Sequence, residues 1–171
     1  ETILKNKNFH MLVDFIKKFP ILKLVIVGHN KGPYAEELKD KIIQANLENR
    51  VFLPGTVDDK TKAYLYQNCK AFCFPSLYEG FGMPVIEAMH YGKPIFLSTH
   101  TSLPEIGKSH SFYWDNFDPE YMANMFQQGL ISFNRDRETS IEEQQAYANQ
   151  YTWQKNVQAY LAIYRKLAEV N

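Results

Sequence analysis

The chain has little of what marks secreted, membrane-spanning or nucleic-acid-binding proteins. Only two of its 171 residues are cysteines, and the closely spaced Cys69 and Cys73 resemble neither a disulfide framework nor a zinc site. No apolar run approaches the roughly 20 residues that a transmembrane helix needs, and no signal peptide is visible. Nineteen basic residues balance nineteen acidic ones, which gives no electrostatic case for binding nucleic acid. These absences favour a globular protein of a reducing compartment.

The common glycine-rich phosphate loops are also missing. No Walker A sequence occurs, and residues 28–32 contain two glycines without the G-x-G-x-x-G spacing of dinucleotide folds. No group of residues resembles a set of metal ligands. The sequence therefore implies neither a metal nor an organic cofactor, and any phosphate site must be built in another way.

Short apolar runs alternate with amphipathic segments along the chain. Strands are predicted at residues 22–27, 51–53, 71–74, 94–97 and near 112–114. Helices are predicted at residues 8–19, 34–47, 58–68, 83–90, 138–150 and 153–170, with another beginning at Asp118-Pro119. Strands that alternate with helices predict parallel βαβ units. We therefore expect an α/β fold with a doubly wound, Rossmann-like parallel sheet in a single domain.

The most informative segment is residues 79–87, which places Glu79 and Glu87 eight residues apart across a predicted loop-to-helix junction. Gly80 and Gly82 leave the backbone open there. A buried strand, a glycine-containing turn and a helix N-terminus form the general layout of an anion site, because free N–H groups and the helix dipole favour a phosphate. The two carboxylates would repel a phosphate, so they suit neutral hydroxyls such as those of a ribose. A phosphate beside a polyol suggests a nucleotide-sugar.

Residues 74–89 resemble the signature of the retaining GT-B glycosyltransferases that carry a Glu-x7-Glu motif (glycosyl transferases group 1, family 4). Further segments of that family are similar to residues 7–8, 24–28, 51–55, 92–95, 104–106 and 151–153. The resemblance spans nearly the whole chain but only the C-terminal half of such an enzyme. It implies that residues 1–171 form the nucleotide-sugar donor-binding domain of a GT-B fold, and that helix 153–170 packs toward an N-terminal domain. A first residue other than methionine fits an excised domain.

The resemblance also implies a reaction and a set of site residues. A hexose would move from a UDP- or GDP-sugar to a hydroxyl of a glycan or glycolipid, with retention and without a metal. Glu79 is the expected catalytic or sugar-positioning carboxylate, and Glu87 is expected to accept hydrogen bonds from the ribose. The other residues implied to contact the donor are Gly80, Phe81, Gly82, Met83, Lys7, Gly28, Gly55 and Thr56.

Several expectations concern the rest of such an enzyme. The acceptor site and the general base belong to the N-terminal domain in this family, so the present chain alone is predicted to be inactive. The resemblance suggests biosynthesis of a surface polysaccharide or lipid-linked glycan. The expected location is the cytoplasm, with peripheral association at the inner face of the membrane as an option.

The family's domain normally opens with a strand and an arginine-containing loop. Residues 1–6 offer only Ile3-Leu4 and no arginine, so this strand is expected to be very short or cut.

Two alternatives stay open at the level of sequence. A glycoside hydrolase could use Glu79 and Glu87 as acid and nucleophile, but one carboxyl would have to stay protonated, and a helix N-terminus favours the ionised form. The second alternative is a non-enzymatic Rossmann or flavodoxin-like ligand-binding module, but such a module would not need two carboxylates around a phosphate-binding turn. Individual residues also have plain interpretations: Lys7 as a surface lysine, and Gly80 and Gly82 as turn formers.

Overall fold

The structure, a computed structural model, describes residues 2–168, in which short strands alternate with helices. The strands are β1 (Leu24–Val27), β2 (Val51–Gly55), β3 (Phe72–Phe74), β4 (Ile95–Ser98) and β5 (Phe112–Trp114). The helices are α1 (Phe9–Ile16), α2 (Pro33–Gln44), α3 (Asp59–Asn68), α4 (Met83–His90), α5 (Leu103–Gly107), α6 (Pro119–Arg135), α7 (Arg137–Ala148) and α8 (Trp153–Ala168). Residues 169 and 170 of the predicted last helix lie outside the described residues. Within residues 2–168, no helix has both the length and the apolar character needed to cross a membrane.

Local signals in the sequence fix several helix ends as predicted. The Asp58 carboxylate accepts a hydrogen bond from the Thr61 backbone N–H at 2.7 Å and so caps α3. Asp118 caps α6 in the same way, with Pro119 at the first helical position. Gly92 follows α4 with a φ of +58°, a left-handed conformation that commonly ends helices. Helix α5 and a 3-10 turn at Lys5–Lys7 were not predicted.

All strand pairs are parallel, which confirms the predicted α/β class. Strand β1 pairs with β2, while β4 lies between β3 and β5. The three apolar residues of β4, Ile95, Phe96 and Leu97, are fully buried. Phe96 stacks on Trp114 and contacts Phe126 of α6, so an aromatic cluster fills the space between sheet and helix.

A gap separates the two groups of strands. In the described part of the chain β1 and β3 do not pair, and a cavity of about 710 Å³ lies between them. Every residue of both strands lines this cavity, together with side chains of α1, α3 and α4. Thr2 forms a single parallel bridge to His29 just beyond β1, and the adjacent Ile3 is 2% exposed. The strand that the family resemblance predicts before Lys7 is therefore represented here by one bridge.

Candidate functional site

The first residues of the chain cross the carboxyl ends of the strands, and we call residues 2–8 the N-terminal strap. At one end, the Ile3 backbone N–H donates to the His29 carbonyl at 3.0 Å. Farther along, the Asn6 carbonyl accepts from the Leu77 backbone N–H at 2.7 Å, and the Asn6 side chain donates to the Tyr78 carbonyl at 3.0 Å. The strap is thus fixed to the loop after β3, residues 75–82, which we call the motif loop.

This attachment brings Lys7 against Glu79. The Lys7 Nζ lies 2.7 Å from the Glu79 Oε1, and the two side chains are only 10% and 9% exposed. The same ammonium lies 5.3 Å from the centre of the Phe74 ring, within the range of a cation–π contact. Lys7 is therefore a buried cation of this site and not a surface lysine. It also does not open α1, because it ends the 3-10 turn and Asn8, with a φ of +58°, separates it from the helix.

The motif loop ends in free backbone donors at the start of α4. Among the described residues, no acceptor contacts the backbone N–H groups of residues 80–83. Gly82 is the N-cap, and its carbonyl accepts from the Val85 backbone N–H at 2.9 Å. Free N–H groups at the positive end of a helix dipole favour an anion. Phe81 and Met83 are exposed beside them, so this part of the predicted site is open to a ligand.

Two hydroxyl side chains that were not predicted hold the motif loop in place. Ser102 Oγ donates to the carbonyls of Glu79 and Phe81, each at 3.1 Å. Thr101 Oγ1 accepts from the Glu79 backbone N–H at 3.0 Å. Both residues follow β4, and the carboxyl ends of neighbouring parallel strands meet at the same edge of the sheet. Their position after β4 was the signal that could have revealed them.

Glu87 lies on the face of α4 that meets α3. Lys62 Nζ contacts the Glu87 Oε1 at 3.1 Å, and the Tyr66 hydroxyl donates to the Glu87 Oε2 at 3.0 Å. The hydrogen bond to Glu87 stabilises the charged lysine, so the pKa of Lys62 is raised. The Glu87 side chain is 34% exposed and lines the cavity between β1 and β3. Neither α3 partner of this carboxylate was predicted from the sequence.

The remaining predicted residues, Gly28, Gly55 and Thr56, lie where β1 and β2 end. The Gly28 backbone N–H donates to the Gly55 carbonyl at 3.1 Å, and Gly55 has a φ of +82°. The Asn30 side chain lies against Gly55 and donates to the Leu53 carbonyl at 3.0 Å. These residues share the carboxyl edge of the strands with the motif loop. Within residues 2–168, however, no hydrogen bond joins Gly28, Gly55 or Thr56 to residues 79–87.

The two glycines of the motif loop have different requirements. Gly82 has a φ of +101°, and an added Cβ would lie 3.2 Å from a Leu103 methyl group, whereas a Cβ on Gly80 meets nothing within 4 Å. We expect Gly82→Ala to lower the free energy of unfolding by about 1–3 kcal/mol, because an L-residue is strained in this region. Gly80→Ala, the matched control, should stay within about 0.5 kcal/mol. Urea denaturation of both variants measures this difference. Equal losses of unfolding free energy would contradict a requirement for glycine at position 82 that is absent at position 80.

Within the described residues, the thiols and acidic groups show no arrangement that could hold a metal ion. Across residues 2–168, no three histidine, cysteine, aspartate or glutamate side chains form a group that could hold a metal ion. Cys69 and Cys73 are free thiols, and burial raises the pKa of both. Both thiols are therefore poor nucleophiles.

Comparison with known proteins gives the class of this fold. Sucrose-phosphate synthase from Thermosynechococcus elongatus superposes with a TM-score of 0.85 at 22% identity, covering 98% of this chain and 44% of that chain. Anabaena Alr3699/HepE, solved in complex with UDP-glucose, gives a TM-score of 0.77 at 24% identity. The match covers 99% of this chain and 47% of that chain. The α/β architecture is that of the C-terminal, Rossmann-like domain of a GT-B glycosyltransferase, as predicted.

The sequence comparisons then give the family. The profile of the family "Glycosyl transferases group 1" matches residues 1–153, and the chain belongs to this family. The O-antigen chain mannosyltransferase B of Escherichia coli is 34% identical over 158 residues, which cover 90% of this chain and 41% of that protein. The chain thus spans less than half the length of these three relatives.

Proposed function

We propose that this chain is the donor-binding half of a retaining glycosyltransferase that moves a hexose from a UDP- or GDP-sugar to a hydroxyl of a glycan or glycolipid. The observation that carries the proposal is the cluster at the carboxyl end of β3. There, the N–H groups of residues 80–83, which no acceptor among the described residues contacts, directly follow Glu79, whose carboxylate is paired with the buried Lys7 ammonium. No Walker-type loop is needed, because the backbone N–H groups supply donors for a diphosphate, and the Lys7 ammonium, paired with Glu79, lies at the same loop.

In this proposal the chain's own groups stabilise the departing nucleoside diphosphate. Negative charge grows on the diphosphate as the sugar leaves, and prearranged amides and an ammonium lower the energy of that state. Lys7 and the start of α4 are the proposed sources of this stabilisation, so that the transfer proceeds without a metal. Glu79 would contact the sugar hydroxyls, and Glu87 would accept hydrogen bonds from the ribose. Phe81 and Met83 would border the donor, with Gly28, Gly55 and Thr56 nearer the base.

The contacts of the two carboxylates favour this function over glycoside hydrolysis. Glu79 is paired with Lys7, and Glu87 with Lys62. Such pairing suits ionised carboxylates that accept hydrogen bonds, whereas a hydrolase needs one carboxyl group in its protonated form. The named relatives agree with transfer: one is an O-antigen chain mannosyltransferase and another was solved with UDP-glucose. We propose that the whole protein acts in polysaccharide or lipid-linked glycan biosynthesis, and that it is cytoplasmic, with peripheral association at the inner face of the membrane as an option.

The exposed face of α8 supports the expected second domain. Along this helix, Trp153, Tyr160 and Tyr164 are 81%, 57% and 63% exposed. A stripe of large apolar residues at helical spacing normally packs against a partner. We propose that this stripe contacts an N-terminal domain, which would also carry the acceptor site and the general base. On this view the present chain binds the donor but does not catalyse transfer alone.

The proposal is tested by titrating the protein with UDP and GDP in a calorimeter, without metal. We expect one nucleotide to bind, and Glu87→Ala to weaken that binding about 10- to 100-fold, the size of losing one or two hydrogen bonds to a charged group. As a control, Glu48→Ala alters an exposed carboxylate of the loop after α2 and should leave binding unchanged. Binding of neither nucleotide, or equal binding by Glu87→Ala, would contradict the proposed donor site.

A further inference from the structure

We propose that Tyr66 and Lys62 of α3 are positioning residues for Glu87, and that by fixing its carboxylate they set how strongly the protein prefers ribonucleotides over deoxyribonucleotides. The inference deepens the proposed function and rests on it. It adds two residues that lie outside the Glu-x7-Glu segment, on a different helix.

The two residues reach Glu87 together because of their spacing. Residues 62 and 66 are four apart on α3, so their side chains lie on the same face one turn from each other. Lys62 contacts one carboxylate oxygen at 3.1 Å and Tyr66 the other at 3.0 Å. Because each oxygen has its own donor, the plane of the carboxylate is fixed and does not rotate freely.

Tyr66 is itself held rigidly. Its ring stacks on the Tyr91 ring, with centroids 5.4 Å apart and planes 9° from parallel. The centroid of the Phe72 ring in β3 lies 5.7 Å from the centroid of the Tyr66 ring. Tyr91 directly follows α4 and Glu87 lies within it. Tyr66 therefore contacts α4 through its hydroxyl and the residue just after α4 through its ring. Lys62 is less constrained, since it is 41% exposed and also lies 3.5 Å from Asp59, so we expect Tyr66 to have the larger effect.

The pairing leaves room for a ligand on the carboxylate. An ionised carboxylate offers about four acceptor positions, and α3 uses one on each oxygen. The other positions stay available on a side chain that is 34% exposed. Two neighbouring hydroxyls of a ribose can each donate one hydrogen bond to such a group. A carboxylate already held in place loses less freedom on binding than one that must be ordered by the ligand. Removing its supports should therefore weaken recognition of the hydroxyls and spare the contacts to phosphate.

The decisive variant is Tyr66→Phe, which removes the hydroxyl and keeps the ring packing. Calorimetry would measure Kd for UDP or GDP, whichever binds, and for its 2′-deoxy and 3′-deoxy counterparts. We expect the ribonucleotide Kd to rise about 3- to 10-fold, the scale of ordering one side chain, with the deoxynucleotide values nearly unchanged. The preference for ribose would fall accordingly. Lys62→Met should act in the same direction with a smaller change.

Two controls separate positioning from general damage. Lys60→Met alters a solvent-exposed lysine of the same helix and should leave the ribose preference unchanged. In a Glu87→Ala background, Tyr66→Phe should cause no further loss of that preference. Equal weakening of ribo- and deoxynucleotide binding, or an unchanged ratio, would overturn the positioning role while leaving the donor site intact. If the unaltered protein bound no nucleotide, the proposed function would fall and this inference with it.

Discussion

Replacing Lys7 by methionine is expected to lower the free energy of unfolding by about 3–5 kcal/mol. The change keeps a similar side-chain volume but leaves the Glu79 carboxylate, only 9% exposed, without its ion-pair partner at 2.7 Å. A buried charge that loses its partner cannot recover full hydration, and this penalty exceeds the packing that methionine retains. Urea denaturation followed by tryptophan fluorescence gives the free energy directly.

Two further variants show whether the loss arises from the stranded carboxylate. Lys7→Met combined with Glu79→Gln removes the charge as well as its partner, so we expect it to recover more than half of the lost stability. Lys39→Met breaks an exposed ion pair in which the Lys39 side chain is 40% exposed and the Glu36 side chain 62%. It should lower the free energy of unfolding by less than about 1 kcal/mol. A Lys7→Met protein as stable as Lys39→Met would show that the Lys7–Glu79 pair is not buried in solution.

Replacing Arg50 by methionine is expected to lower the free energy of unfolding by about 3 kcal/mol, because several charge-assisted hydrogen bonds are lost together. The guanidinium donates to the backbone carbonyls of Ile16 at 2.7 Å, Phe19, and Leu22 at 3.1 Å. These carbonyls belong to the end of α1 and the turn that leads into β1. The Arg50 carbonyl in turn accepts from the Leu24 backbone N–H at 2.8 Å. One residue therefore joins the end of a core helix to the start of two paired strands.

Two control variants test whether the planar guanidinium of Arg50 and its carbonyl contacts cause the loss of stability. Arg50→Lys keeps the charge but replaces a planar group with several donors by a compact ammonium, so we expect about half of the stability loss. Arg137→Met removes an exposed arginine at the start of α7 and should change stability by no more than about 0.5 kcal/mol. Thermal unfolding followed by circular dichroism ranks the three variants. A lysine variant as stable as the original chain would show that multiple carbonyl contacts are not required.

Much of the fold was readable because its signals are local. The cap residues Asp58 and Asp118 act on backbone groups two or three positions away, and Gly92 ends α4 through its own φ. The buried strand β3 and the start of α4 at Met83 follow from apolar runs and from the glycines before the helix. The α/β class follows from the alternation of such segments and is confirmed. The assignment of Glu79, Glu87 and their neighbours to a donor site stays a prediction.

Other features depend on contacts between distant parts of the chain. From the sequence, Lys7 is either a donor contact or a plain surface lysine, yet it lies buried in the strap, and its partner Glu79 is 72 residues away. The side chains that support the motif loop and Glu87 likewise come from segments 21 to 25 residues away. They are Ser102, Thr101, Tyr66 and Lys62. The position of Thr101 and Ser102 after β4 places them at the same edge of the sheet as the motif loop, but the immediate sequence does not indicate which groups they will contact.

The sequence by itself therefore determined most of the elements, their parallel arrangement, and the loop-to-helix motif that resembles a donor site. Helix caps, strand runs and turn glycines act over a few residues, and such short-range preferences can be read one segment at a time. The tertiary structure alone decided that a lysine is buried against Glu79, that α3 holds Glu87 by both oxygens, and that a gap separates β1 from β3. These outcomes depend on how separate elements pack, because an ion pair or a strand pair forms only when the path of the chain brings its two members together.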